Sequence, residues 1–196
     1  MSESIGVIIL AAGTGSRFRG IAGPGKDKLL ADCTGRDGAV RSVIEHVLVN
    51  LPASLERRVL VARKDRPQAI RMAQAYGCDF VELDSPGLGD SIAAGVQACP
   101  ELDGWLMVLG DMPFILPSSI EQVVAGIRAD GISVPVLAGE YGHPVGFGGE
   151  FGPKLMALTG DRGAKVLFAG AQVVEVPVDD PGVTWDVDVP EALVFK

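Results

Sequence analysis

This sequence predicts a three-layer α/β/α fold on a mostly parallel sheet, in one domain spanning residues 1–196, and three observations carry the prediction. Short β-branched runs alternate with segments whose apolar residues recur at helical spacing. Those runs are apolar on both alternations, as strands buried on both faces are. The 196 residues are 47% hydrophobic, which supplies one sizeable core at a length that a single α/β layer structure fills.

Taken in order, Ile5 to Leu10 reads as the first buried strand, followed by a glycine-rich loop. From Gly38 to Leu51, Val40, Val43, Ile44, Val47, Leu48 and Leu51 recur at three and four, so a helix is expected over that span, ended by Pro52. Val59 to Ala62 is a strand, Pro67 to Tyr76 a helix that Gly77 caps, and Phe80 to Leu83 a strand. Gly89 to Ala98 is a helix, Trp105 to Leu109 a buried strand, and Pro117 to Ala129 a helix with proline in its first turn. The last third is less regular, with extended pieces at Ser133 to Val136 and Val173 to Val176, a short helix at Gly163 to Phe168 and a turn at Pro190 to Leu193. Such a βα series places ligands outside the carboxyl ends of its strands.

Composition narrows the function. A net charge of −8 argues against a nucleic-acid partner, since affinity for a phosphate backbone comes largely from clustered Lys and Arg. No apolar stretch is long enough to span a membrane, and Met1-Ser2-Glu3-Ser4 begins no basic leader, so the cytoplasm is the expected compartment. Cys33, Cys78 and Cys99 are odd in number and widely spaced, which reads as buried free thiols.

Three loops carry chemistry. The first, Leu10-Ala11-Ala12-Gly13-Thr14-Gly15-Ser16-Arg17-Phe18, is followed by Lys26 and Lys28, so backbone amides and cations converge where an anion would sit. Its glycines fit neither a dinucleotide fingerprint nor a Walker loop; a plain tight turn is the other reading. The second, Gly110-Asp111-Met112-Pro113, puts a carboxylate at the end of a central strand, in place to hold Mg²⁺ or to cap a turn. In the third, Trp185-Asp186-Val187-Asp188-Val189-Pro190-Glu191, alternation sets Asp186 and Asp188 on one side. His46 lies on a helical period and reads as structural, whereas His143 sits among glycine and proline outside any period.

In this order the loops resemble the nucleotidyltransferases that process the molybdenum cofactor, most of all the molybdenum cofactor cytidylyltransferases, over nearly the whole chain. The motifs are the first loop with Lys28-Leu29-Leu30, Gly87-Leu88-Gly89-Asp90-Ser91-Ile92 with Gly95, Leu109-Gly110-Asp111-Met112-Pro113, Gly142-His143-Pro144-Val145, Gly160-Asp161-Arg162-Gly163-Ala164, and Asp186-Val187-Asp188-Val189-Pro190-Glu191. The resemblance implies a Rossmann-like sheet of the nucleotide-diphospho-sugar transferase type. It implies a nucleotide site made by Leu10, Ala11, Ala12, Gly13, Thr14, Gly15 and Ser16 with Arg17, Lys28, Ser91 and Gly95, in a segment that starts at Pro86 and lines base and ribose. Arg17, Lys28 and Asp111 are the implied catalytic residues, Asp111 and Asp188 the Mg²⁺ ligands, and His143, Pro144 and Asp161 the border of the acceptor side.

The implied reaction is attack by the terminal phosphate of a molybdopterin-type substrate on the α-phosphorus of CTP, with a molybdoenzyme as recipient of the product. Ala12 matches the Ala-Ala-Gly form associated with cytidylyl transfer, where guanylyl-transferring relatives carry Gly-Gly. The chain departs from the pattern in a longer approach to the lysine at residues 19–27, which leaves Lys26 as a substitute for Lys28, in a more polar turn at 33–38, and in Val189 where threonine is common. The rival readings are a relative using GTP or another nucleotide with a different phosphorylated acceptor, such as a sugar phosphate or isoprenoid precursor, and a non-catalytic nucleotide sensor or cofactor-delivery protein.

Overall fold

The computed structural model describes residues 4–84 and 87–196. In chain order its elements are β1 (Ile5–Ala11), α1 (Ser16–Ala22), β2 (Asp32–Thr34), β3 (Val40–Ser42), α2 (Val43–Asn50), β4 (Arg57–Ala62), α3 (Pro67–Ala75), β5 (Asp79–Glu82), α4 (Leu88–Ala98), β6 (Gly104–Leu109), α5 (Pro117–Ala125), β7 (Gly131–Leu137), β8 (Glu140–Tyr141), β9 (Val145–Gly148), α6 (Gly152–Met156) and β10 (Gln172–Pro177). The main sheet runs β10-β7-β9-β6-β1-β4-β5, with β8 paired to β7. β1 lies parallel to β4 and β6, β4 to β5, and β10 to β7, while β9 runs antiparallel to both β6 and β7. The mostly parallel α/β sheet is thus the observed one.

Every residue of β1 is buried, and its alternation builds the three layers. Val7 and Ile9 face a core shared with Ile44 and Val47 of α2, Ile70 of α3 and Ile120 of α5. Ile8 and Leu10 face the opposite core, with Ile92 and Val96 of α4 and Leu155 of α6. Each fully buried side chain of this size contributes roughly 1.5–3 kcal/mol over leaving it exposed. Gly95 of α4 sits directly over the sheet: a Cβ there would come within 2.3 Å of Ile8 Cγ2 and 3.0 Å of Val61 Cγ2. Among the described residues no helix is long and apolar enough to cross a membrane.

The structure corrects several element readings. Val40–Ser42 is a strand paired with Asp32–Thr34, and α2 begins only at Val43. Ser42 is the reason: its side chain accepts from the Glu45 amide, a cap that starts the helix there, and Val40 is left 67% exposed, outside the apolar stripe. α5 stops at Ala125, since the Gly126 amide folds back onto the Gln122 and Val123 carbonyls and Ile127 turns into the core. The short helix read at Gly163–Phe168 is present with those bounds and is of the 3-10 kind. Part of the glycine-rich loop is the helix α1, and β9, a span to which the sequence assigned no element, inserts the antiparallel strand.

From β1 the chain moves outward through β4 to β5 and then crosses to β6 on the other side of β1. A crevice opens where the direction reverses, outside the carboxyl ends of β1 and β6. The Gly110 amide donates to the Leu10 carbonyl at 2.9 Å, so the first and second loops stand side by side there.

Candidate active site

The first loop leaves β1 with its amides unspent. Gly13, Thr14 and Gly15 donate no backbone hydrogen bond among the described residues. Gly15 has φ 64°, a left-handed conformation that costs a residue with a side chain, and it turns the chain into α1. Free amides on a tight turn are suited to an anion. α1 also takes up much of the long approach to the lysines, and the Asp27 side chain caps the next turn by accepting from the Leu29 amide at 3.0 Å. The outcome for the two lysines is clear: Lys28, only 10% exposed at its side chain, points into the crevice, while Lys26 stays exposed beside Arg19 and Pro24.

Opposite the loop lie three carboxylates. Asp111 follows β6, and its carbonyl accepts from the Val187 amide at 2.9 Å, which pins the terminal segment against it. One ligand oxygen each from Asp111, Asp186 and Asp188 lies within 4.8 Å of the others. Asp180, a residue unnoticed in the sequence, fixes this segment from below. Buried, it accepts from the Leu116 amide (2.9 Å), the Ser119 hydroxyl (2.7 Å) and the Gly182 amide (3.0 Å), and it pairs with Arg36. The Asp180-Pro181-Gly182 turn was the available signal.

Lys28 Nζ bridges Asp111 Oδ2 at 2.6 Å and Asp188 Oδ1 at 3.1 Å, and Arg17 Nη1 reaches Asp188 Oδ2 at 2.6 Å. Burial by itself lowers the proton affinity of Lys28, but the Asp111 and Asp188 charges and hydrogen bonds outweigh it and raise the ammonium above its ordinary value. Burial likewise pushes the Asp188 carboxyl up, and Lys28 and Arg17 more than reverse the effect, leaving it below the usual range. Asp186 makes no such ion pair among the described residues: partial desolvation, then the negative charges of Asp188 and Asp111, hold its carboxyl up against a smaller pull from Lys28. Three carboxylates against two cations leave a negative site of hard oxygen donors, the donor set of a divalent cation such as Mg²⁺ or Mn²⁺.

Two adjoining cavities share Leu10, Leu88 and Leu109 as a wall. The smaller, about 240 Å³, runs past Ala11, Ala12, Gly13, Lys28, Ser91 and Asp111. The larger, about 530 Å³, is mostly apolar, with Met107, Val134, Phe147 and Phe168 in its lining and His143, Arg162 and Lys165 among its few polar groups. Among the described residues His143 Nδ1 is buried there without a hydrogen-bond partner. Burial holds its imidazole below the ordinary histidine value, although the Asp111 charge works against that.

Other residues singled out in the sequence lie elsewhere. Gly95 packs α4 onto the sheet and lines neither cavity, and Pro144 is buried beside the larger one. Asp161 stands exposed on a turn whose preceding carbonyl, that of Gly160, accepts from the Gly89 amide at 2.7 Å; the next residue, Arg162, is the one that lines the cavity. Ser91 donates its hydroxyl to the Gly87 carbonyl at 3.0 Å. Pro86 lies outside the described residues. His46 is structural, buried with Nε2 3.0 Å from the Cys33 carbonyl, and all three cysteines are buried free thiols. Arg66 was missed: a buried guanidinium holding the first loop from behind.

Unspent amides and cations facing a carboxylate cluster across a sheet switch point define the class: a nucleotidyltransferase, which must hold a polyphosphate against its own repulsion. The particular family follows from comparison, for residues 7–176 match the model of the MobA-like NTP transferase domain, and the chain belongs to that family. Bifunctional protein GlmU of Micrococcus luteus is 30% identical over 153 residues, covering 72% of this chain and 29% of that protein. GlmU of Cutibacterium acnes is 30% identical over 150 residues, covering 72% and 33%. The chain therefore spans about a third of the length of these curated relatives. Among solved structures, Rv0371c of Mycobacterium tuberculosis is similar with a TM-score of 0.78 at 28% identity, over 98% of this chain and 96% of that one. A manganese complex of Rv0371c has a TM-score of 0.70 at 24% identity, over 97% and 96%. A nucleotidyl transferase from Methanothermobacter shares the fold, with a TM-score of 0.80 at 19% identity over 97% and 94%.

Proposed function

We propose that this chain, acting as one nucleotidyltransferase domain, transfers CMP from CTP to the terminal phosphate of a molybdopterin-type substrate and releases pyrophosphate, with Mg²⁺ as the metal and a molybdoenzyme as eventual recipient. The observation that carries the reading is the Lys28 bridge between Asp111 and Asp188, set between the bare amides of the first loop and the adjoining cavity.

In this reaction a new bond forms between an acceptor phosphate oxygen and the α-phosphorus, and the bond to the bridging oxygen breaks, its electron pair leaving with pyrophosphate. The attacking oxygen is already anionic, so no protein nucleophile is needed; the difficulty is repulsion and alignment. The loop amides from Gly13 to Gly15 cradle the triphosphate, while Lys28 and Arg17 stabilise charge that accumulates on the departing group. Asp111 and Asp188, with Asp186 beside them, would hold the cation, which when bound would supply further neutralisation.

The choice of acceptor is supported by the ordered motifs that resemble those of the molybdenum cofactor nucleotidyltransferases, and the larger cavity, about 530 Å³, offers an acceptor room beside the first loop. The cytidylyl choice is supported by Ala12, which gives the Ala-Ala-Gly form where guanylyl-transferring relatives carry Gly-Gly. Pyrophosphate release measured with CTP, GTP, ATP and UTP, each with and without molybdenum-loaded pterin, tests both. CTP with the pterin is expected to be fastest; release that favours GTP overturns the base, and release that ignores the pterin but follows a sugar phosphate overturns the acceptor.

A further inference from the structure

Behind the first loop stands a residue that neither the motifs nor the reaction scheme accounts for. Arg66 lies in the turn between β4 and α3 and is 7% exposed. Its Nη1 donates to the Ala11 carbonyl at 2.8 Å, its Nη2 to the Gly13 carbonyl at 2.7 Å, and its Nε lies 3.4 Å from Asp27 Oδ2. Asp27 is the cap of the turn that carries Lys28. One planar guanidinium thereby ties together the loop and the lysine turn.

We propose that Arg66 is the positioning residue of the triphosphate loop: by gripping the Ala11 and Gly13 carbonyls it holds the loop with its unspent amides, Thr14 next to the gripped Gly13 carbonyl foremost, toward the phosphates, and through Asp27 it sets Lys28 to the same ligand. The geometry follows from the planar trans peptide, in which the C=O of one residue and the N–H of the next point in opposite directions. Carbonyls drawn back to a cation leave the amides on the ligand's side and remove two negative dipoles from it. The rigid fork fits this task as an ammonium does not, since two carbonyls and a carboxylate are met at once. A packing role alone would be met more cheaply by a hydrocarbon of the same volume, because burying a charge carries a desolvation penalty.

The proposal rests on the nucleotide reading of the loop. Its test is calorimetric titration of the full chain with CTP and Mg²⁺, together with pyrophosphate release and melting temperature, for wild type, R66K, R66M, R66A and D27N. R66M is expected to bind CTP at least tenfold more weakly and to turn over at least tenfold more slowly; R66K is expected to regain part of both losses, and added methylguanidinium to restore affinity to R66A, whose truncated side chain leaves it room, and not to R66M. D27N is expected to lower turnover more than affinity, because it loosens Lys28 and leaves the loop gripped. Wild-type affinity and turnover in folded R66K and R66M overturn the proposal, and so does a loss that tracks melting temperature in every variant without rescue by methylguanidinium. Should R66M not fold, R66K and D27N decide it by the same split. A wild type that binds none of the four nucleotides defeats the loop reading itself, an outcome distinct from variants that bind as well as wild type.

Discussion

The two halves of the crevice are built on opposite principles. At the phosphate end charges are dense and mostly paired, with Asp186 the carboxylate left over: Lys28 touches two carboxylates, Arg17 one of the same two, and Arg66 two carbonyls. In the adjoining cavity the lining is mostly apolar, and a buried imidazole nitrogen has no hydrogen-bond partner among the described residues. The difference separates two jobs. Dense charges and a carboxylate set fit for a cation hold a highly charged group that every reaction of this class shares, so that end sets rate. An unmatched group in an apolar wall is satisfied only by a ligand that brings the complement, so that end sets which acceptor is used.

The sharpest way to break this division is at the phosphate end. Asp111→Asn keeps the shape and the backbone bond to Val187 but removes a charge from the metal set. Turnover is expected to fall about a thousandfold, in the range known for loss of a key electrostatic group, with the melting temperature little changed. Wild-type turnover at saturating Mg²⁺ would remove Asp111 from the assignment. Next in size, Lys28→Met is expected to cost about a hundredfold and to weaken nucleotide binding, whereas Lys26→Met, exposed and outside the acid cluster, should stay within about twofold. The reverse order in steady-state kinetics would show that the loop takes another register when nucleotide binds.

Much of the phosphate end was legible because its residues are fixed by chain chemistry that leaves local marks. Glycines at a turn, a carboxylate at the end of an apolar strand, and Asp186 and Asp188 in alternation are each readable within a few residues. Long-range pairing left no such mark. Nothing near Arg66 announces that it reaches back to Ala11, and nothing near Asp180 announces Arg36 and Ser119, since those partners are set by how β4 and the terminal segment pack. Gly95, read within a motif, has a structural role that the motif did not announce: its missing Cβ admits Ile8 and Val61. The fold erred where two local signals competed, as at Val40, where an accidental helical period hid the Ser42 cap.

The acceptor end is sharpened by smaller effects. His143→Leu fills the same space but removes the nitrogen, so KM for the acceptor is expected to rise about tenfold, the worth of one hydrogen bond, with KM for the nucleotide unchanged. A parallel rise in both constants would join the two halves that the geometry separates.

The smallest effect is one of pH on the ligand-free protein. Burial gives folded His143 a lower proton affinity than the ordinary value of 6.5 that the unfolded chain retains. Where the unfolded state binds more protons, stability rises with pH, so this contribution is complete above about 6.5 and is lost as pH falls through the lower, folded value. The limit for one proton is about 1.4 kcal/mol per pH unit. Urea unfolding at pH 7.5 and 5.5 should therefore show wild type losing more stability on acidification than His143→Leu, which has no imidazole to charge. Comparing the two proteins cancels the carboxylates, including Asp188 and Asp186, whose opposite shifts act in both. Equal losses in the two would mean that the imidazole reaches solvent freely, and the cavity would then lack the unmatched buried group on which its selectivity is argued.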